Sequence, residues 1–123
     1  MRNWIATLLL CAAQAALAQP NPFEGQWTAR FKTFGQDREA KLDVQPPGGT
    51  WQVLYLPAGA DICFKLKAPI EVLRSTSDEM EFVVQRSKTL AGCADIKPIV
   101  LRRIDDKTLE GAFADGIPLR LTR

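Results

Sequence analysis

The sequence predicts an all-β domain: a small antiparallel up-and-down barrel of about eight strands, with a two-sheet β-sandwich as the alternative. Three observations carry this. Apolar and polar residues alternate with period two over most of the chain after Glu24, as in strands with one face on a core and one in water. Turn residues recur at intervals of roughly eight to twelve positions, the spacing of short antiparallel strands. No stretch beyond the first eighteen residues shows the 3.6-residue period of an amphipathic helix.

Those first residues follow another logic. Met1-Arg2-Asn3 is a short positive start, Trp4 to Ala13 is apolar, and Ala16-Leu17-Ala18 has the small-x-small form of a signal-peptidase site. The apolar run is far shorter than the ~20 residues that span a bilayer. Residues 1–18 are therefore expected to be a signal peptide, and 19–123 one barrel domain of an exported protein, periplasmic or secreted. A lipoprotein box at Leu8-Leu9-Leu10-Cys11 is the rival reading. Bulky Leu10 stands where the lipoprotein pattern has a small residue, and cleavage there leaves too short an apolar run.

Pro20 and Pro22 fit an extended lead-in. Trp27, Ala29 and Phe31 then share one face of a strand, and Phe34-Gly35-Gln36-Asp37-Arg38 turns the chain into Ala40, Leu42 and Val44. Pro46-Pro47-Gly48-Gly49 breaks the pattern before Trp51, Val53 and Tyr55. Pro57-Ala58-Gly59-Ala60 is a loop leading to a strand through Ile62, Phe64 and Leu66. After Lys67-Ala68-Pro69, Ile70 and Val72 continue in the same phase, which fits either a three-residue hairpin or one strand bent at Pro69. The polar turn Ser75-Thr76-Ser77-Asp78 precedes Met80, Phe82 and Val84.

Arg86 to Pro98 is the longest irregular stretch. Ile99 with Leu101, or Val100 with Ile104, faces inward on the following strand. Asp105-Asp106-Lys107 turns it into Leu109, Gly111 and Phe113. In the last hairpin Ala114-Asp115-Gly116 is a three-residue loop with glycine at its left-handed position. That register sets Phe113 opposite Ile117, Gly111 opposite Leu119 and Leu109 opposite Leu121. Pro118 falls on the outer face, where it marks an edge or a bulge and argues against full closure. Eight strands or nine are compatible with this count.

Composition narrows the chemistry. Sixteen Lys and Arg stand against fourteen Asp and Glu, interspersed along the chain. Nothing resembles the clustered basic footprint of a nucleic-acid binder or a polybasic membrane segment, and no membrane insertion is expected. Histidine is absent, which excludes Ser-His-Asp and Cys-His nucleophiles, His-zinc sites and His-ligated haem. No cofactor or metal is expected, and no catalytic residue is assigned. Ser87-Lys88 would point to opposite faces of a strand, and Asp61, Asp95 and Glu24 read as solvated loop charges.

Removal of residues 1–18 leaves two cysteines, Cys63 and Cys93. An even pair in an exported domain is expected to form a disulfide. The near-mirror Asp61-Ile62-Cys63 and Cys93-Ala94-Asp95 could supply two thiolates and two carboxylates, but structural zinc prefers cysteine and histidine.

Gly25-Gln26-Trp27 opens the first strand, and Arg123 ends the last in phase with Leu119 and Leu121. This resembles the calycin signature of lipocalins and avidins, in which a basic side chain from the last strand packs on the tryptophan of a G-x-W. An even strand number puts both at one end of the barrel, and an odd number at opposite ends. The resemblance implies Arg123 over Trp27 and binding of small apolar molecules, in a cavity that this short chain would keep small. A second resemblance, to bacterial periplasmic metalloprotease inhibitors, rests on the same strand and implies that Gln19-Pro20-Asn21-Pro22-Phe23 enters a protease. In that family the cysteines enclose an earlier, shorter loop.

The function expected is thus non-enzymatic binding of a small apolar ligand or a protein partner. Trp51, Tyr55 and the loops Leu56–Ile62 and Arg86–Lys97 are the candidate contacts. Inhibition of a periplasmic or host hydrolase is the alternative, and a surface or structural protein without a pocket the third reading.

Overall fold

A computed structural model describes residues 21–123; the expected signal segment and cleavage site, Cys11, Gln19 and Pro20 lie outside them. Eight strands form a closed antiparallel barrel in chain order: β1 (Gly25–Thr33), β2 (Gln36–Gln45), β3 (Gly48–Leu54), β4 (Ala68–Ser75), β5 (Glu79–Val84), β6 (Ile96–Asp105), β7 (Thr108–Ala112) and β8 (Pro118–Thr122). The up-and-down barrel is the arrangement that period-two alternation and short connections favour. Its inward residues make one core, including Trp27, Ala29, Leu42, Trp51, Phe82 and Leu101, each no more than 1% exposed.

Several connections differ from the sequence reading. The first turn is only Phe34-Gly35, both with left-handed backbones (φ 51° and 73°), and Gln36–Arg38 already pair with Phe31–Thr33. Two left-handed residues match the right-handed twist of the flanking strands, so a tighter turn suffices. Ile62, Phe64 and Leu66 do not form a strand. Ile62–Lys65 is a single helical turn, α1, entered through Asp61, whose Oδ1 accepts a hydrogen bond from the Cys63 N–H at 2.9 Å. The two options for the Pro69 region both fail, because this helical turn intervenes before β4. Ser87-Lys88 lies in a 3₁₀ turn, Arg86–Lys88, rather than on a strand. On β6, Ile99 and Leu101 face the core while Val100 and Ile104 are outside.

The last hairpin has the expected register, with Leu109 opposite Leu121 and Gly111 opposite Leu119. Pro118 does not prevent closure, because β8 meets β1 only from Arg120 to Thr122, opposite Arg30 to Thr28. The proline therefore sits above the seam, where its missing N–H takes no ladder bond away.

The barrel has two unlike ends. Asn21–Glu24, Pro46-Pro47, Thr76–Asp78, Asp106-Lys107 and Arg123 lie at one, by strand direction. That end is plugged. Phe23 is fully buried, and its carbonyl accepts the Trp27 indole N–H at 2.9 Å. Arg123 lies across the plug with its guanidinium carbon 4.1 Å from the Trp27 ring centroid. Its Nε and Nη1 donate to the carbonyls of Asp106 and Glu24, each at 2.8 Å. Gly25, beside this crossing, has a φ of 118°, a backbone that residues with a Cβ rarely adopt. Arg123 therefore covers Trp27 at one end of the barrel, where an even strand number brings the start of β1 and the end of β8 together.

Candidate functional site

Two seams of the wall unzip toward the other end. β1 and β8 separate beyond Arg30 and Arg120. β3 and β4 pair only at Thr50–Pro69 and Trp51–Ala68, leaving Gln52–Leu54 without a partner on that side. Where strands part, side chains from opposite walls no longer meet across the axis. The result is a cavity of about 690 Å³. An eight-stranded barrel can be filled by its own side chains, and this one is filled only in its plugged half.

Apolar groups line the cavity floor. Phe31, Trp51 and Phe113 converge there, with ring centroids 5.0 Å apart for Phe31–Phe113 and 6.1 Å for each pair with Trp51. Edge-to-face packing of Phe113 on both partners suits the charge distribution of the rings. Val53, Ile96 and Ile117 complete the apolar wall. Trp51 is 1% exposed, and its Nε1 has no hydrogen-bond partner among the described residues. The ring is therefore held by packing.

Both loops named from the sequence form the mouth: Leu56, Pro57, Gly59, Ala60 and Asp61 on one side, Arg86, Ile96 and Lys97 on the other. The Cys63–Cys93 disulfide joins α1 to the loop after the 3₁₀ turn, so the two sides of the mouth are one covalent unit. Arg86 crosses between them, with its guanidinium carbon 5.0 Å from the Phe64 ring centroid. Burial pushes this guanidinium below its usual value, and the Asp61 carboxylate offsets part of that effect. Asp95 holds the start of the 3₁₀ turn by accepting the Ser87 N–H at 2.8 Å. That backbone hydrogen bond, with a further one from the Ser87 side chain, keeps the Asp95 carboxyl below its ordinary range.

Tyr55 is placed differently from Trp51. β3 ends at Leu54, Tyr55 takes a left-handed backbone (φ 55°) and its side chain is 85% exposed. It borders a separate outer depression with Lys32, Arg38 and Leu54, and does not line the cavity. The change of backbone region at residue 55 ends the alternation that put it on the Trp51 face. Glu24 is at the plugged end while Asp61 and Asp95 are at the mouth, so topology separates the three carboxylates.

Phe31, Val53, Phe113 and Arg38 are site residues that pattern reading did not single out. The signal was available for the first three. Each continues the inward phase of its strand at the end where that strand meets a mouth loop. No cluster of three or more potential metal ligands occurs among the described residues.

No protein-family model matches this chain, and no curated protein matches it. Among solved structures, a redesigned β-barrel is similar, at 17% identity over 83% of this chain and 91% of that one, with a TM-score of 0.49.

Proposed function

We propose that this is an exported, calycin-like binding protein that holds one small apolar molecule in the open half of its barrel. The cavity is the observation that carries the reading. About 690 Å³ with an aromatic and aliphatic floor falls within the range of roughly 300–1,000 Å³ of small-molecule sites. Arg38, Arg86 and Lys97 outnumber Asp61 and Asp115 around the cavity, which favours a ligand whose polar end is acidic, with its apolar body against Phe31, Trp51 and Phe113. The disulfide fits an oxidising compartment, where such bonds persist, and so supports export. The inhibitor reading has less room, since Phe23 is part of the core and Asn21 and Pro22 are bonded to the plug.

The probe of choice is 1-anilinonaphthalene-8-sulfonate, an apolar fluorophore with an anionic group. One equivalent should bind the native protein with enhanced emission and altered Trp51 fluorescence. Val53→Trp places an indole in the cavity and should abolish the enhancement while leaving a cooperative melt. Equal enhancement in that variant, or none in the parent, would rule out the cavity as the site.

A further inference from the structure

Charges that alternate along the chain do not alternate over the molecule. The connections Phe34-Gly35, 55–67, 85–95 and 113–117 all emerge at the mouth, because successive turns of an up-and-down barrel alternate between its ends. Lys32 pairs with Asp37 at 3.8 Å. The remaining cations there are Arg38, Lys65, Lys67, Arg86, Lys88 and Lys97, against Asp61, Glu71, Asp95 and Asp115, a surplus of two positive charges. At the plugged end Asp106 pairs with Arg103, and Glu24, Asp78 and Asp105 stand against Lys107 and Arg123.

The same rim carries exposed apolar side chains on three connections: Phe34 on the first, Tyr55, Ile62 and Phe64 on the second, and Leu90 on the third. Among the described residues, the two non-glycine residues with left-handed backbones are Phe34 and Tyr55. A bulky aromatic in that region is a steric outlier. Here the strain is not repaid by burial, because Phe34 is 100% and Tyr55 85% exposed. At Phe34 the left-handed backbone serves the two-residue hairpin turn, but asparagine or glycine would hold that backbone with less strain, so the exposed aromatic side chains themselves are what the fold leaves unexplained.

We propose that this rim docks on the surface of an anionic lipid membrane, with Phe34 and Tyr55 entering the headgroup region and the cavity opening toward the lipid. Charge complementarity selects this occupant: cations around apolar tips match anionic headgroups above hydrocarbon. A fluid bilayer can also accept tips from unconnected loops, whereas a protein partner needs a continuous, complementary surface. The site goes beyond the cavity reading and does not require the cavity to be filled.

The test is co-sedimentation of the disulfide-bonded protein with vesicles of phosphatidylcholine containing about 30% phosphatidylglycerol, without any added probe. The parent should sediment with these vesicles and not with phosphatidylcholine alone. Binding should fall when salt rises from 0.1 M to 1 M, as the screening length shrinks from about 10 Å to 3 Å. F34N/Y55N should lose about tenfold in partitioning, as expected for removal of two interfacial aromatics. Asparagine tolerates the left-handed backbone, so this variant should melt at or above the parent temperature, which separates lost docking from lost folding. No sedimentation with anionic vesicles, or undiminished sedimentation of F34N/Y55N, would overturn the proposal and leave the rim to a protein partner. Because the readout is sedimentation, loss of the fluorophore site in vesicle-free buffer would leave this result unaffected.

Discussion

Replacing Arg123 by alanine probes how the barrel is closed at its plugged end. The side chain makes three kinds of contact: the Trp27 face at 4.1 Å, two backbone carbonyls at 2.8 Å, and the Pro22 carbonyl at 3.4 Å. Arg123 is partly in water, so the cation–π contact contributes about 0.5–1 kcal/mol. Each short hydrogen bond contributes about 1 kcal/mol net, because the carbonyls left behind can be hydrated. The bond at 3.4 Å adds little. R123A should therefore lower stability by about 2–3 kcal/mol, equivalent to a melting temperature roughly 10–15 °C lower for a domain of this size. Urea unfolding followed by tryptophan fluorescence measures the first figure and a thermal melt the second. R123K keeps the charge but loses the planar fork, and should recover about half of the loss. A double-mutant cycle with Trp27→Leu should return a coupling of about 0.5–1 kcal/mol. Lys107→Ala is the control, since its side chain makes no hydrogen bond or ion pair among the described residues, and it should change nothing. An R123A protein within about 0.5 kcal/mol of the parent, the range of ordinary surface substitutions, would refute this account of the plug. So would zero coupling to Trp27.

Two further outcomes are expected. The double change C63S/C93S opens a loop with a sequence separation of 30 and should cost about 3–4 kcal/mol by chain entropy. The β-rich circular dichroism spectrum should survive, because neither cysteine belongs to a strand; a melt unchanged from the parent would show that the bond constrains nothing. Asp95→Asn removes the carboxylate that holds the Ser87 N–H. Its pKa is depressed in the folded protein, so its contribution is present above the unfolded carboxylate value of about 3.9 and is lost as pH falls through the folded value. Amide exchange at Ser87 should be faster in D95N than in the parent at pH 7, and the two should converge in acid. A difference that persists unchanged in acid would refute the assignment.

Much of the wall was legible because a strand writes its facing directly into alternate residues. Trp27, Ala29, Leu42, Met80, Phe82 and Val84 needed no partner to be identified as inward. The last hairpin was legible to single-residue register, since Gly116 marks the loop and a one-residue slip would turn Leu119 and Leu121 outward. Ile62–Leu66 was not. Three alternating apolar residues fit a strand or one helical turn equally, and the choice came from the Asp61 cap and the tie to Cys93. Phe23 was missed for a related reason: a lone aromatic after prolines has no period to place it, and only the hollow beneath Trp27 gives it a site.

By itself, then, the chain determined which side chains face inward on most strands, though not on β6 or at Tyr55, how the last hairpin pairs, which cysteines are available to join, and that glycine and tryptophan open the first strand while arginine follows the last. These are local or pairwise properties, carried by spacing along one strand or between neighbours. Tertiary structure alone decided that the ladder closes despite Pro118, that two seams open toward the same end, and that a cavity forms between them. It also gathered cations and exposed aromatics at that end from loops far apart in sequence. Closure and segregation depend on where each strand stops pairing across the barrel, and that is a property of the assembled ladder rather than of any segment in it.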